Sequence, residues 1–519
     1  MKPLAISAIA QLFASQAMAF NPSSGAARFV GFDLGTSGAR ISIVEGDADA
    51  DADADAARQP SYREIYSDGI AWSRDAPYDN AGAWMAAVFE LLERAQGTGY
   101  LSSVRSICAS GTSASCCVID SKNCGSVTRR PRMYDFDVTS SAENLAASVR
   151  AMDLIDKHAP PRHTARAATG SLAKLLSWNE EQPLKSGEVL CHQADYVAMN
   201  LMSDAKKCGS GGGAMKRIVR SDWHNTLKCG YDVRNLHWPD WIVACLQEGG
   251  ISDPLGTGVL PTEVVSPGQP LGTVSEVIAE RYGIPKNAVV VGGTTDSNAA
   301  FLAAAGAKPE LGTAVTSLGS TLAIKQLSET YVEDADRGVY SHRFPVFRSS
   351  DGKESDGGGS EAWLIGGASN VGCAVLRQEK FSNEELVELS KDIDPASNSP
   401  LKYYPLTKKG ERFPAANSDM LPMLDPKPDT RVEYLHGILQ GISDVEREGF
   451  KVLGDLGASP GMPRNVLSCG GGARNEMWIE MRQRKMRELD GAESVAVRRA
   501  DNTEASYGAA LLAASNIRS

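Results

Sequence analysis

Residues Phe29–Leu34 are apolar but for Gly31 and Asp33, and Arg40–Glu45 alternates through Ile41, Ile43 and Val44. The first stretch predicts a buried strand and the second a strand running back beside it, joined by "GTSG" at 35–38. Residues 313–325, "TAVTSLGSTLAIK", repeat that layout. Nucleotide loops of the dinucleotide or Walker kind lead from a strand into a helix, so neither turn is one of those. Ala81–Ala95 carries helical spacing, while Val289–Val291 and Val466–Ser468 are short strand-like runs. Strands and helices alternate along the chain, which predicts an α/β class. The two strand–turn–strand units further predict two similar domains facing each other. A Pro- and Gly-rich segment, "LPTEVVSPGQPLGTV" at 260–274, puts the boundary at its N-terminal side and gives domains 29–259 and 260–519.

Three polar stretches interrupt this pattern: "GDADADADADAAR" (46–58), "CGSGGGAMK" (208–216) and "SSDGKESDGGGS" (349–360). The first lacks the glycine and glutamate of a calcium loop, and all three read as solvated insertions. With 519 residues the chain is long enough for two or three cores. A net charge of −11 excludes a protein that tracks nucleic-acid phosphates. It leaves room for phosphorylated ligands held by backbone N–H groups and a metal ion.

Ten cysteines without zinc-ribbon spacing read as reduced thiols, which points to a reducing compartment. Residues 1–28 pull the other way. Lys2, the apolar run "LAISAIAQLFASQAMA" and the small residues Ala17 and Ala19 have the layout of a secretory signal. The run is too short for a membrane span, so no membrane contact is expected of the mature chain. "ASQAMAFNP" resembles the two-part leader of plastid proteins in algae with secondary plastids. Delivery to the plastid stroma would reconcile the leader with the thiols; the alternative is the cytoplasm.

A strand–turn–strand unit aims its turn N–H groups and hydroxyls into a concavity that suits phosphate oxygens. Gly35 and Gly38 are expected to adopt unusual dihedrals there, with Thr36 and Ser37 adding hydroxyl donors. Thr316, Ser317, Gly319, Ser320 and Thr321 offer the same chemistry at the second turn. Asp33, where the first strand meets its turn, either holds Mg²⁺ beside polyphosphate or caps its own turn. In "VVVGGTTDSNAAFLAAAGA" (289–307) a strand leads through Gly292 and Gly293 to Asp296 at the start of a helix. Such an aspartate either points into the cleft at the carboxyl end of a sheet or serves as the helix N-cap. In "NVLSCGGGARNEMW" (465–478), glycines 470–472 let a flat base or an α-phosphate approach, and Asn475 offers a hydrogen bond to an adenine edge.

Taken in order, "DLGTSGAR", "GGTTDSNAA", "TSLGSTLAIK" and "GGGARNEMW", with "YPLTKKGERFP" (404–414) and "SYGAALLA" (506–513), resemble the FGGY carbohydrate kinases from about Phe29 to Ala514. That family belongs to the actin-like ATPase superfamily. The resemblance implies two actin-like ATPase (ribonuclease H-like) domains with the active site in the cleft between them. Residues 29–259 would bind sugar and phosphate, and 260–519 would carry the catalytic aspartate and the nucleotide. It implies transfer of the γ-phosphate of ATP to a terminal sugar hydroxyl, with Asp296 as general base and Asp33 and Asp296 at Mg²⁺. Asp33, Thr112, Ser113 and Asp296 would meet the sugar. Thr36, Ser37, Gly319, Ser320 and Thr321 would line the phosphates, and Gly471, Gly472 and Asn475 the α-phosphate and adenosine.

The segment "RPRMYDFD" (130–137) lacks the Trp–x–Asp–x–Arg of glycerol kinases and many bacterial xylulokinases. "ASGTSASCCVID" (109–120) and "SDWHNTLKCGYD" (221–232) instead resemble the D-ribulose kinases of plants and cyanobacteria. That branch implies D-ribulose as the substrate, with D-xylulose as the alternative. Asp222–Asn225 would shape the pocket wall, with His224 structural rather than catalytic. A nucleotide-binding regulator or sugar sensor without turnover is the rival class, and the joint presence of Asp33 and Asp296 weighs against it.

Overall fold

The computed structural model describes residues 26–46, 62–140, 145–202, 217–256, 258–345 and 362–515. Residues 1–25 of the expected leader, and the three expected insertions apart from Gly46, lie outside the described residues. Every residue of β1 (Ala27–Leu34) is buried, as its apolar run requires, and the strand begins two residues inside the segment assigned to the leader. β2 (Gly38–Gly46) pairs with it antiparallel, Phe32 opposite Ile41 and Asp33 opposite Arg40. β3 (Tyr62–Ala71) extends the antiparallel run, and β4 (Val104–Gly111) lies parallel to β1 on its other side. The helix Ala81–Gln96, capped by the Asn80 side chain at Gly82 N and Ala83 N, buries Trp84, Val88 and Leu91 in the core of this sheet.

A small sheet of β5 (Cys116–Asp120), β6 (Ser126–Arg132) and β7 (Glu188–His192) follows, then a parallel pair, β8 (Arg220–Asp222) and β9 (Glu263–Val265). The chain then returns to the first sheet with β10 (Pro270–Thr273), β11 (Val289–Val291) and β12 (Thr294–Thr295). The order there is β10-β11-β4-β1-β2-β3, with β12 also on β4. These strands lie beyond residue 260, so the exchange between sheets falls at the helix Asp296–Ala305 and not at 259/260. The Pro- and Gly-rich segment that marked a boundary forms β9, a turn and the edge strand β10, where both residue types are tolerated.

The second sheet contains β13 (Thr313–Leu318), β14 (Leu322–Ser328), β15 (Tyr340–Phe344), β16 (Ala362–Ser369), β17 (Asn465–Cys469) and β18 (Ala496–Arg499), in the order β15-β16-β14-β13-β17-β18. β13, β14, β16 and β17 reproduce the pairing directions of β1, β2, β3 and β4. The two similar domains expected from the twin turns are therefore present as twin sheets. Between the sheets lie two helices, Asp296–Ala305 and Ala505–Ser515, in a core shared by Phe29 and Val44 of the first sheet and Val315 and Leu467 of the second.

The second of these helices, "ASYGAALLAAS", is made almost wholly of small residues and buries nearly all its length. Its Ser506 hydroxyl meets Ser42 Oγ at 2.8 Å, and Ala513 O accepts from Ser106 Oγ at 2.8 Å. A Cβ on Gly31 would collide with Ser506 O and Ala510 N, and one on Gly508 with Ala299 O. Glycine is required at both positions by backbone approach.

One cysteine expectation fails: Cys124 is disulfide-bonded, while the other eight described cysteines are free. Among the described residues no helix is long and apolar enough to cross a membrane. Gly508→Ala should force the two inter-sheet helices apart and lower unfolding free energy by about 1–3 kcal/mol, read from urea denaturation. Wild-type stability in that variant would show that the helices yield there.

Candidate active site

Sheet register brings the two candidate aspartates together. Asp33 stands opposite Arg40 of β2 and Ser110 of β4, and Thr294 of β12 stands beside Ser110 on the far side of β4. One row further, Thr295 adjoins Gly111, and Asp296 then leaves the sheet as the first residue of its helix. Both carboxylates thus sit at the carboxyl ends of parallel strands, the position open α/β sheets use for ligands.

Ser110 Oγ donates to Asp33 Oδ1 at 2.8 Å, and Arg40 Nη1 stands 3.9 Å from Asp33 Oδ2. Burial, then the charge of Asp296, pushes the Asp33 carboxyl up to about 7. Asp33 therefore does not serve merely as a turn cap: its partners are on neighbouring strands. Asp296 is not the N-cap either, since Thr295 occupies that position. The Asp296 carboxylate accepts from Ser297 N at 2.7 Å, and burial raises its pKa against the pull of that N–H, Lys325 and Lys228.

Two buried or half-buried carboxylates that repel each other favour a cation between them. Among the described residues no cluster of three or more His, Cys, Asp or Glu side chains is placed to hold a metal. A pair of carboxylates fits Mg²⁺, which completes its shell with water and substrate phosphates and seldom with an all-protein cage.

The two turns are built as expected but for different reasons. Gly35 N donates to Gly38 O at 3.0 Å, and neither glycine has a positive φ. Gly38 is needed because a Cβ would strike Ile70 O on β3. Thr36 and Ser37 are exposed at the tip, with Arg40 Nη2 3.4 Å from Ser37 Oγ. At the second turn Gly319 N donates to Thr321 O at 3.2 Å, Ser320 and Thr321 are exposed, and Arg377 Nη2 donates to Ser320 Oγ at 3.1 Å. Thr316 departs from expectation. It is fully buried, and its Oγ1 donates to Glu446 Oε1 at 2.6 Å within the Glu446–Arg482 ion pair.

Gly470 lies against the end of β13, where a Cβ would come within 2.6 Å of Leu318 O. Next to it opens a cavity of about 650 Å³, lined among others by Gly471, Gly472, Asn475, Phe381 and Leu386. That volume suits a nucleoside. Asn475 is largely committed to the fold: its Oδ1 caps the following helix at Trp478 N, and its Nδ2 donates to Ser390 Oγ at 2.8 Å. One N–H remains for a base edge.

On the sugar side the two candidates separate. Thr112 Oγ1 is buried between Ser115 Oγ and Gln193 Oε1, which also accepts from Thr112 N at 3.0 Å. It is a structural hydroxyl. Ser113 is half-buried and makes no hydrogen bond to the described residues. Asp222 caps its own short helix at His224 N and Asn225 N and also accepts from Asn225 Nδ2. His224 Nε2 donates to Arg343 O at 2.7 Å, so Nδ1 accepts from Thr294 Oγ1 at 2.7 Å.

Several residues were not expected from the sequence, although all but Lys174 lie in segments described above. Tyr134 lies within electrostatic reach of Asp296, whose charge, after burial and its neighbour Asp135, raises the Tyr134 pKa. Lys325 Nζ donates to Ser297 O, Ser297 Oγ and Asn298 Oδ1 at 3.0, 3.2 and 2.8 Å, and burial lowers it to about 8. Lys174 holds Ala114 O and Met133 O, and Lys228 lies within electrostatic reach of Asp296. Lysines at i+4 from His224 and at the end of "TSLGSTLAIK" were the available signals.

No protein-family model matches the chain. The structure is similar to a xylulose kinase from Bifidobacterium adolescentis, with TM-score 0.67, 18% identity, and coverage of 94% of this chain and 93% of that one. A Plasmodium falciparum glycerol kinase solved with ADP gives TM-score 0.68 at 14% identity, covering 94% and 89%. A gluconate kinase from Lactobacillus acidophilus gives 0.66 at 13%, again covering 94% and 89%. At such identities the likeness establishes the fold, the two-domain α/β fold of these kinases.

Burial drives the His224 pKa down to about 4. A histidine whose folded pKa is depressed contributes stability above its ordinary value near 6.5 that is lost as pH falls towards 4. His224→Gln should therefore be less stable than wild type at pH 7.5. The gap should narrow by roughly 2 kcal/mol at pH 5 in urea titrations; an unchanged gap would refute the neutral, bridging histidine.

Proposed function

We propose that the chain is an ATP-dependent sugar kinase that phosphorylates a terminal hydroxyl of a ketopentose, D-ribulose first and D-xylulose as the alternative. The observation that carries this reading is the pairing of Asp33 with Asp296 at the strand ends, with a phosphate-type turn on each sheet and a nucleoside-sized cavity beyond the second. A sensor without turnover would have no use for a half-buried carboxylate of raised pKa beside the phosphate turns. The similarity to xylulose, glycerol and gluconate kinases supports the reaction class. The choice of D-ribulose rests on "ASGTSASCCVID" and "SDWHNTLKCGYD".

In this mechanism the nucleoside enters the cavity at Gly471 and Gly472, and its phosphates lie over Thr36, Ser37, Gly319, Ser320 and Thr321. Arg40 and Arg377, each already bonded to a turn serine, are placed to meet phosphate oxygens. The sugar lies between Asp33, Ser113, Tyr134 and Asp135. Asp296 accepts the proton of the attacking hydroxyl, whose oxygen bonds the γ-phosphorus as the bond to ADP breaks. Mg²⁺ held by Asp33 and Asp296 would supply charge neutralisation at the phosphates.

The test is ADP release with Mg-ATP across D-ribulose, D-xylulose, L-ribulose, glycerol and no sugar. Stimulation by D-ribulose above the others is expected. Preference for another polyol would overturn the substrate, and nucleotide binding without stimulation by any sugar would overturn the kinase. Asp296→Asn should keep nucleotide affinity in calorimetry and lose about 10²–10⁴-fold in turnover; near-normal turnover would remove Asp296 from the base role.

A further inference from the structure

Lys228 lies in the 3₁₀ turn Leu227–Cys229, which continues the short helix Trp223–Thr226. That helix is anchored at its start by the Asp222 cap and along its side by the bond from His224 to Thr294, two residues before Asp296. Residues four apart in a helical segment share a face, so Lys228 follows His224 towards the start of the Asp296 helix. It lies within electrostatic reach of Asp296.

Its ammonium is half-buried yet makes no hydrogen bond or ion pair with the described residues. Lys325, on the other side of Asp296, is the contrast: its protons go to Ser297 and Asn298. Lys325 thus braces the helix, while Lys228 keeps its three N–H donors for something else.

The surroundings say what kind of ligand that is. Lys174 and Lys325 each feel the positive charge of Lys228, and burial lowers the pKa of all three lysines. Lysines crowded together in a chain of net charge −11 are arranged against local repulsion. Asp135 faces Lys174, but Asp296 alone does not offset Lys228 and Lys325 together. A multiply charged anion arriving beside Asp296 would.

We propose that Lys228 is a further catalytic residue, whose ammonium contacts the phosphoryl group in flight between nucleotide and sugar. The proposal rests on the kinase reading above. During transfer the sugar O–P bond forms, the P–O bond to ADP breaks, and the hydroxyl proton passes to Asp296. Negative charge on the transferred group's oxygens faces Lys228, a preorganised cation that needs no reorganisation at that moment.

The test uses the full chain with Lys228→Met, Lys228→Gln and Lys228→Arg. For the Met and Gln variants kcat is expected to fall at least about 100-fold, with sugar and ATP KM within about threefold of wild type, and Arg should restore part of the loss. ADP affinity in calorimetry should be unchanged, while the extra affinity for ADP with aluminium fluoride and sugar should be lost. Undiminished kcat in both neutral variants would overturn the assignment while leaving the kinase intact. So would equal loss of ADP affinity and thermal stability, which marks a structural lysine. Absence of sugar-dependent ADP release by wild type would instead overturn the kinase reading, and this assignment with it.

Discussion

The arrangement depends on how closely two helices and a strand approach at Gly31 and Gly508. The helix Ala505–Ser515 lies on β1 with no room for a Cβ at Gly31, and the helix Asp296–Ala305 lies on it with no room for one at Gly508. Asp33 is two residues beyond the first contact, and Asp296 is three residues before Ala299 at the second. Sheet register through β4 brings the two carboxylates together, and these backbone contacts, which have little compliance, brace the strand and the helix that carry them. A side chain at either glycine would push on the strand or helix that carries one of the two carboxylates.

Around that rigid pair the charges are deliberately unequal. Burial raises the pKa of both carboxylates; Asp296 faces Lys228 and Lys325, whose pKa values burial lowers, and Asp33 faces Arg40. Each sign is unfavourable without the other and without an incoming ligand. The cavity beside Gly470, past the ends of β13 and β17, is bordered by apolar groups such as Phe381 and Leu386. The apolar cavity and the charged pair are thus distinct places in the second half of the fold, with the Leu318–Gly319 turn close to Gly470 at the cavity's edge.

Local pattern carried much of this. The β1–β2 and β13–β14 hairpins follow from alternation and a turn, and both aspartates follow from their place at strand ends. What failed did so through residues remote in sequence. Thr112 is closed off by Gln193, 81 positions away, and Thr316 by Glu446, 130 positions away. Neither partner carries a local sign of that role. Lys228 and Lys325 sit inside quoted motifs, but a lysine in isolation reads as solvated surface; only the assembled cleft shows one braced and the other open. The domain boundary failed for a related reason: Pro and Gly mark a turn, and only strand pairing tells which sheet the turn serves.

The helix Ala505–Ser515 has a consequence for how the protein is made. It covers the inner face of β1 and β2 through a contact between Ser42 and Ser506 that spans 464 positions. At roughly 5–20 residues per second of synthesis, that face waits on the order of half a minute to a minute and a half for its cover. Phe29 and Val44 on the first sheet are exposed to other chains throughout that interval. The nascent first lobe is therefore the stage at which a ribosome-associated chaperone has most to protect, and slow translation would prolong the hazard rather than aid folding.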